Sequence, residues 1–151
     1  KDREPRKIRS LLMDEGELEK HNWKLNEKYE KIKLNEQRVE LYNTEDAEII
    51  IVAHGIAARI SKGAVELGKE NGLKLGLIRP ITLWPFPEKA IRKFVSMSNK
   101  VKEFLVVEMN LGQMVEDVKL SVNGKVPVEF LGKPGGSIFT PEEILEKVKQ
   151  I

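Results

Sequence analysis

The sequence predicts an α/β protein in which an open, mostly parallel sheet has helices on both faces and follows a charged helical arm. Short apolar runs without polar alternation, such as 48–53 and 104–107, are typical of strands that are covered on both faces. Segments with helical spacing alternate with these runs, and the connections between them are short. The predicted order is therefore the arm, followed by four strand–helix pairs.

Composition divides the chain into two parts. Of its 151 residues, 40% are hydrophobic and 33% are charged, and the charged fraction is high for one compact domain. Residues 1–43 are dense in Lys, Arg and Glu, whereas 44–151 have the composition of an ordinary globular domain. We therefore predict a charged helical arm or linker over 1–43 and an α/β domain over 44–151.

The arm has a narrow apolar stripe. An apolar residue recurs every seven positions, at Leu11, Leu18, Leu25, Ile32 and Val39. The companion heptad positions are mostly polar, which disfavours a coiled coil. Gly16 favours a break between two helical pieces. We expect one or two charged helices that dock on another surface.

Local signals define the first elements of the domain. The run 48–53 is followed by helical spacing over 57–71, and Gly72 is well placed to end that helix. The second strand is predicted over 73–78. Pro87 suits the first turn of the next helix, where its missing N–H would have had no partner.

The remaining elements follow in the same way. A helix over 112–122 separates the strand 104–107 from a strand over 126–131. Pro127 lies near the start of this last strand, which indicates either an edge position or the entry of the strand.

The last helix has the clearest beginning in the sequence. Thr140 suits the N-cap, Pro141 the first helical position and Glu143 the third. Together they predict a complete capping box.

Charge and hydropathy exclude two classes of partner. The 26 basic and 24 acidic residues are mixed along the chain, unlike the basic patch of a nucleic-acid-binding protein. No apolar run approaches the ~20 residues that a membrane span needs. The chain begins with Lys1, so we expect a piece of a longer or processed protein.

The chain has no cysteine, so it cannot bind an iron–sulfur cluster through thiolates or use a thiol nucleophile. His21 and His54 lie far apart, which leaves no metal-ligand spacing. We expect no metal in this chain and a cytoplasmic location.

Unusual residues follow each predicted strand, in the segments 54–59, 79–87, 108–113 and 132–136. The carboxyl ends of parallel strands meet at one edge of a sheet, where ligands and partners bind. We call these four segments the rim. The candidate interface or ligand residues are Gly55, Arg59, Arg79, Pro80, Trp84, Pro85, Phe86, Glu108, Asn110, Gly112, Gln113, Pro134, Gly135 and Gly136.

Each candidate also has a structural interpretation. His54 at a strand end is more often a capping residue than a base. Arg59 could hold an anion or a partner carboxylate, or reach into solvent. Glu108 and Asn110 could orient a ligand, but such residues more often hold a loop or cap a helix. The pair Gly135–Gly136 could admit another backbone or form a plain wide turn.

Trp84 and Phe86 stand between prolines, as either a lid over the core or an anchor in an interface. We favour the interface, because a large exposed apolar patch is costly. The G-x-G-x-x-G and P-loop patterns are absent, and no nucleophile–base set can be assembled. The residues therefore predict a docking domain without catalytic residues.

Four separated strings resemble one family, the alpha subunits of 2-oxoacid:ferredoxin oxidoreductases of the 2-oxoglutarate and 2-oxoisovalerate type. They lie at Glu45–Arg59, Arg79–Ile91, Val106–Val118 and Phe130–Ile144, in the family's order and spacing. The resemblance covers about 39–151.

The resemblance implies a C-terminal domain similar to that of transketolase. It implies an enzyme that decarboxylates a 2-oxoacid on thiamine diphosphate and Mg, transfers acyl to coenzyme A and reduces ferredoxin through iron–sulfur clusters. These cofactors are implied to lie in other domains and the beta subunit. The implied partners are the rest of the alpha subunit, the beta subunit, gamma or delta subunits, and ferredoxin through the holoenzyme.

The resemblance also implies an interface near the substrate or coenzyme A entrance. The residues implied to shape it are Arg79, Pro80, Trp84, Pro85, Pro87, Glu108, Asn110, Gly112 and Gln113. His54 departs from the family, where a Tyr or Trp is expected before Gly55, so no family role is transferred to it.

Two alternatives stay open at this stage. One is the C-terminal domain of another thiamine enzyme, such as transketolase or a 2-oxoacid dehydrogenase beta chain. The other is a stand-alone module that binds an anion or nucleotide with Arg59 and helix N-termini.

Overall fold

The computed structural model of the chain describes residues 3–5, 11–97 and 100–151, with the side chain of Met97 excepted. The chain divides into two compact units, Lys1–Asn35 and Glu36–Ile151. The parts of the predicted arm at 1–2 and 6–10 lie outside the described residues.

The first unit contains helix α1, Glu17–Asn35, which begins directly after Gly16 at a φ of +77°. Acidic residues in its first turn and Lys33 in its last turn complement the helix dipole. The described residues before Gly16 form no helix, so only one of the two possible helical pieces is present among them.

The described residues of the second unit form a five-stranded sheet and four helices. The strands are β1 (Val39–Tyr42), β2 (Ile49–Ala53), β3 (Leu75–Pro80), β4 (Glu103–Glu108) and β5 (Val128–Gly132). The helices are α2 (Gly55–Glu70), α3 (Glu88–Met97), α4 (Met114–Val122) and α5 (Pro141–Val148).

The sheet has the order β1-β3-β2-β4-β5, and every neighbouring pair is parallel except β1 with β3. The predicted open, mostly parallel sheet is therefore confirmed. Strand β2 lies at the centre, because the chain moves from it to one side through α2 and later crosses to the other side through α3.

Alternating strand residues build two apolar layers. Ile51 and Leu105 are fully buried on the face that packs with α2 and α5. Ile50, Phe104 and Val106 are fully buried on the other face, together with residues of α3 and α4. Helices thus cover both faces, which explains why the central strands lack polar alternation.

Strand β1 is the main difference from the sequence-based prediction. The α/β unit begins at Glu36, whereas the sequence analysis ends the arm at 43. The segment 39–42 continues the heptad of the arm, which masks its role as a strand. Its residues are half-buried or exposed, because an edge strand has only one neighbour.

Pairing with β1 also extends β3. Val39 lies opposite Pro80 and Glu40 opposite Arg79, so both Arg79 and Pro80 belong to the strand rather than to the loop after it. The sequence analysis ends this strand at 78 and places both residues in the segment after it, whereas pairing with β1 continues the strand through Pro80.

The edge position of β5 is confirmed. This strand pairs only with β4 within the sheet. Pro127, directly before it, contributes its carbonyl, which accepts from the N–H of Phe104 at 3.0 Å. Proline keeps this acceptor, and its missing N–H lies just before the strand begins at Val128.

The capping box of α5 is confirmed. The N–H of Glu143 donates to Oγ1 of Thr140 at 3.3 Å, and the N–H of Thr140 donates to Oε2 of Glu143 at 2.8 Å. Lys133 donates to the same carboxylate at 2.7 Å. This bond, and secondly that from Thr140, hold the pKa of Glu143 below its usual range.

None of the described helices is both long and apolar enough to cross a membrane.

Ser61 of α2 is fully buried, and its Oγ has no hydrogen-bond partner among the described atoms. Replacement by alanine removes an unsatisfied hydroxyl. We therefore expect Ser61→Ala to raise the free energy of unfolding by about 1 kcal/mol in urea titrations.

Ser121→Ala is the matched control. Ser121 is 5% exposed in α4, and its Oγ donates to the carbonyl of Asp117 at 2.7 Å. Both changes gain the same helix propensity. The difference between the two changes in free energy of unfolding therefore reports the hydrogen bond that Ser121 makes and Ser61 lacks. Equal stability of the two variants would contradict the interpretation of Ser61.

Candidate functional site

The four rim segments meet at one edge of the sheet. Strands β2, β3, β4 and β5 are parallel, so the loops after them lie side by side. The start of β1 joins this edge, since the carbonyl of Arg38 accepts from the N–H of Ile81 at 3.0 Å. The N–H of Arg38 donates to Oγ1 of Thr82 at 3.0 Å.

The topology places a switch point between β2 and β4. The chain leaves β2 toward β3 on one side, and β4 lies on the other side. In open α/β sheets, such a crevice is where ligands usually bind. The N-termini of α2 and α4 flank it, so their surroundings decide which ligands the edge could accept.

The N-terminus of α4 is closed by Glu108, the last residue of β4. This side chain is 1% exposed. Its carboxylate accepts from the N–H groups of Gln113 at 3.2 Å, Met114 at 3.0 Å and Val115 at 2.9 Å. It also accepts from Nδ2 of Asn110 at 3.1 Å. Both carboxylate oxygens of Glu108 thus accept hydrogen bonds from this chain.

Asn110 holds the remainder of this loop. Its Oδ1 accepts from the N–H of Gly112 at 2.7 Å, and Gly112 has a φ of +104°, which favours glycine. A Cβ on Gly132 would lie 2.5 Å from the carbonyl oxygen of Asn110, so the loop packs directly on β5. The interpretation that Glu108 and Asn110 hold a loop and cap a helix is confirmed.

Negative charge therefore concentrates at the start of α4. Burial raises the pKa of the Asp117 carboxyl, and the neighbouring Glu108 carboxylate adds to that rise. This helix end therefore offers an anionic ligand no hydrogen-bond donors, because its first N–H groups already donate to Glu108.

The N-terminus of α2 is different. His54 is its N-cap residue, and its side chain makes no capping hydrogen bond. Gly55 follows with a φ of +57°, and the first turn contains no acidic residue. Arg59 lies on the exposed side of α2. The structure brings Arg59 to the rim without placing it in a pocket.

Arg79 forms an ion pair with the neighbouring edge strand. Its Nη1 donates to Oε2 of Glu40 on β1 at 2.8 Å, and Nζ of Lys62 on α2 donates to the other oxygen at 3.0 Å. The Lys62 bond, then that of Arg79, lower the pKa of Glu40. This exposed network ties β1 to β3 and α2.

The aromatic loop after β3 separates its two aromatic residues. Phe86 packs on the apolar layer beside α3 and α4, whereas Trp84 is 55% exposed. Pro85, in a cis peptide with Trp84, is buried, as is Pro80. Phe86 thus covers the domain's own core, and Trp84 faces outward.

The loop after β5 is open. Pro134, Gly135 and Gly136 are exposed, and both glycines have positive φ. A Cβ on either glycine would meet nothing within 4 Å. This geometry fits a wide turn.

The sequence analysis named Trp84 but missed the other exposed apolar residues at this edge of the sheet. Each loop after a parallel strand contributes at least one of them, and we call the set the apolar row. Its members are Ile56, Ile81, Leu83, Trp84, Leu111 and Ile138. All are roughly half exposed except Leu111, which is 81% exposed. Large apolar residues at loop positions were the available signal.

The apolar row extends over four neighbouring strand ends. Because adjacent strands lie about 4.8 Å apart, the row spans about 15 Å. Singly scattered apolar residues are normal on a protein surface, whereas these six follow strands that end at one edge of the sheet.

A wide groove of about 1340 Å³ lies at the opposite edge of the sheet. Apolar residues such as Leu73 and Phe94 line it together with lysines such as Lys69 and Lys93. None of the candidate residues predicted from the sequence lines this groove. Within the described part of the chain, no group of three or more His, Cys, Asp or Glu residues could hold a metal ion.

Comparison with known proteins shows which family the chain resembles. The family described as pyruvate:ferredoxin oxidoreductase core domain II matches residues 47–144. The chain is 42% identical over 144 residues to the ketoisovalerate oxidoreductase subunit VorB of Methanothermobacter marburgensis, covering 95% of this chain and 40% of that protein. It is 43% identical over 105 residues to the 2-oxoglutarate synthase subunit KorA of the same organism, covering 70% and 27%.

Solved structures show the same fold. A 2-oxoglutarate:ferredoxin oxidoreductase from Magnetococcus marinus, with 2-oxoglutarate, coenzyme A and succinyl-CoA bound, matches with a TM-score of 0.74 and 24% identity. The match covers 92% of this chain and 24% of that chain. An inactive beta4 tetramer of a split-gene transketolase matches at 0.60 and 16% identity, covering 75% and 40%. The chain spans about two fifths of the length of the ketoisovalerate relative.

Glu108→Gln tests whether the Glu108 carboxylate holds the N-terminus of α4. Glutamine has a similar shape, but it loses the charge and turns an amide donor toward backbone donors. We expect the free energy of unfolding to fall by about 3 kcal/mol in urea titrations.

Glu116→Gln in the same helix is the control. The Glu116 side chain is 69% exposed and pairs with Lys119 at 3.0 Å, so its loss should cost less than about 0.5 kcal/mol. If the Glu108 variant lost no more stability than this control, the carboxylate would not be what holds the loop.

Proposed function

The chain belongs to the pyruvate:ferredoxin oxidoreductase core domain II family, and from this premise we propose that it is a non-catalytic domain of the alpha subunit of a thiamine-diphosphate-dependent 2-oxoacid:ferredoxin oxidoreductase. In this proposal the whole enzyme decarboxylates a 2-oxoacid, transfers the acyl group to coenzyme A and passes two electrons to ferredoxin. The domain contributes packing and a subunit interface.

The apolar row is the observation that carries this proposal. Six large apolar side chains at one edge of the sheet favour a protein partner over a small charged ligand. Beneath them, Glu108 accepts the N–H groups that an anion would need at α4. In the loop after β4, the polar groups thus bind one another while the apolar Leu111 stays exposed, as in the centre of a protein interface.

The residues of this chain do not fit the cofactors of such an enzyme. Without cysteine, the chain has no thiolate for an iron–sulfur cluster. The described residues gather no set of carboxylates or imidazoles for Mg. We therefore propose that thiamine diphosphate, Mg, the cluster and coenzyme A are held mainly by other domains and subunits.

The partners follow from the same proposal. They are the rest of the alpha subunit, the beta subunit, gamma or delta subunits, and ferredoxin through the assembled hetero-oligomer. The named relatives are themselves subunits, which supports an assembly of several chains. A cytoplasmic location belongs to the same proposal.

We further propose that the substrate is a branched-chain 2-oxoacid of the ketoisovalerate type. Identity to the two relatives is nearly equal, at 42% and 43%, but the first match extends over 144 residues and the second over 105. Because the α/β unit begins at residue 36, the longer match must include part of the arm. The arm is thus shared with the ketoisovalerate relative.

Substrate choice is measured on the purified oxidoreductase by coenzyme A-dependent ferredoxin reduction. The expected result is a kcat/KM for ketoisovalerate at least about tenfold above that for 2-oxoglutarate, equivalent to about 1.4 kcal/mol in transition-state binding. A preference for 2-oxoglutarate would refute the substrate assignment. Failure to oxidise any 2-oxoacid would refute the oxidoreductase proposal.

Leu111→Lys tests the interface. If Leu111 is buried between subunits or domains, an unpaired lysine there should weaken assembly at least about tenfold. The measurement is the amount of the other subunits that co-purifies with the tagged alpha subunit.

Leu120→Lys is the matched control, because Leu120 is 73% exposed on α4 and lies away from the rim. We expect it to leave assembly unchanged. Equal assembly of both variants, with folding verified by circular dichroism, would show that the apolar row is not the interface.

A further inference from the structure

Helix α1 has apolar side chains on two opposite faces. At about 100° per residue, the predicted stripe of Leu18, Leu25 and Ile32 lies along one side. Trp23 and Leu34 are about three turns apart and share the opposite side. We call this second side the Trp23 face.

The Trp23 face is open. Trp23 is 62% exposed and Leu34 is 66% exposed. Nε1 of Trp23 donates to Oε1 of Glu19 at 3.3 Å, so the polar atom of the indole is satisfied within the helix. What remains available for contact is the apolar ring.

Charged residues surround Trp23. A shallow groove beside the ring is lined by Gly16, Glu19, Lys20, Lys24 and Glu27. An aromatic side chain within a ring of mixed charges is the arrangement of an interface hot spot. Because both signs of charge are present, it suits a protein surface of mixed charge rather than a nucleic acid or a lipid surface.

Helix α1 has little tertiary packing to stabilise it. A helix of 19 residues is only marginally stable on its own, and α1 has no buried residue. Its pair of Lys33 and Glu30 at 2.7 Å is exposed and contributes a few tenths of a kcal/mol at most. A helix that is apolar on two sides is stabilised when protein surfaces cover both of them.

We propose that the Trp23 face docks on the part of the same subunit that lies outside these 151 residues, so that α1 is held between two protein surfaces. This inference rests on the proposed function, because it requires a subunit as long as the relatives. About three fifths of the ketoisovalerate relative lies outside the match, which leaves ample chain to cover this face.

The extent of the matches supports this occupant. The core-domain family covers 47–144 and therefore omits α1, whereas the match to the ketoisovalerate subunit includes 144 residues. The arm is thus outside the common core domain but shared with the longer subunit. A partner subunit or a second copy of the chain is the competing occupant, and the experiment separates them.

The experiment uses the assembled oxidoreductase with its full-length subunit. Position 23, or position 34, is replaced with the photo-reactive residue p-benzoylphenylalanine, and cross-linked peptides are identified by mass spectrometry. Both positions should react with peptides of the same subunit that lie outside 1–151. Lys31, an exposed residue between the two faces, is the matched control and should give several-fold fewer cross-links.

Isotope labelling identifies the occupant. In complexes assembled from mixed labelled and unlabelled subunits, contact within one copy gives no mixed-label cross-links. Cross-links to another subunit, or mixed-label products, would overturn the proposed occupant. Cross-linking at position 23 no greater than at position 31 would overturn the docking face itself.

A measurement on the unmodified protein guards against variants that fail to fold. In hydroxyl-radical footprinting, Trp23 should be oxidised several-fold more slowly in the native complex than in the urea-unfolded subunit. Similar rates in both states would refute docking. The coenzyme A-dependent assay is independent of these results, so a subunit that docks through Trp23 but oxidises no 2-oxoacid would refute only the proposed function.

Discussion

The buried carboxylate of Glu108 is the interaction on which the candidate site depends. It ends the buried strand β4, closes the N-terminus of α4 and fixes Asn110 in the loop between them. A buried charge is tolerated only when it is hydrogen-bonded throughout, and here the backbone supplies most of the donors. One side chain thereby joins a strand, a loop and a helix at the edge where open α/β sheets usually bind ligands.

The same constraint explains why this edge suits a partner better than a substrate. A loop whose polar groups bind one another has few left for a ligand, while its apolar tip, Leu111, remains exposed. Trp84 and Ile56 continue this surface across the neighbouring strand ends. In the function that we propose, the positions that hold ligands in many α/β proteins form a surface for contact with the rest of the enzyme.

Much of the fold could be predicted because the central strands are covered on both faces. The unbroken apolar run over 48–53 and the capping box at Thr140 are local signals, and local physics explains both. Strand β1 could not be predicted, because a short edge strand is only half-buried and its sequence continues the pattern of the arm. The extension of β3 through Pro80 depends on that strand and was missed with it.

By itself, the sequence determined the class of fold, the absence of thiolate chemistry and the residues that gather at the rim. These follow from composition, from periodicity and from the rule that parallel strands end at one edge. Only the tertiary structure decided which neighbours several of the rim residues contact. Arg79 donates to Glu40, Phe86 packs on the core and Trp84 is exposed. The physical reason is that a side chain's partner is set by neighbours distant in sequence, which local patterns do not contain.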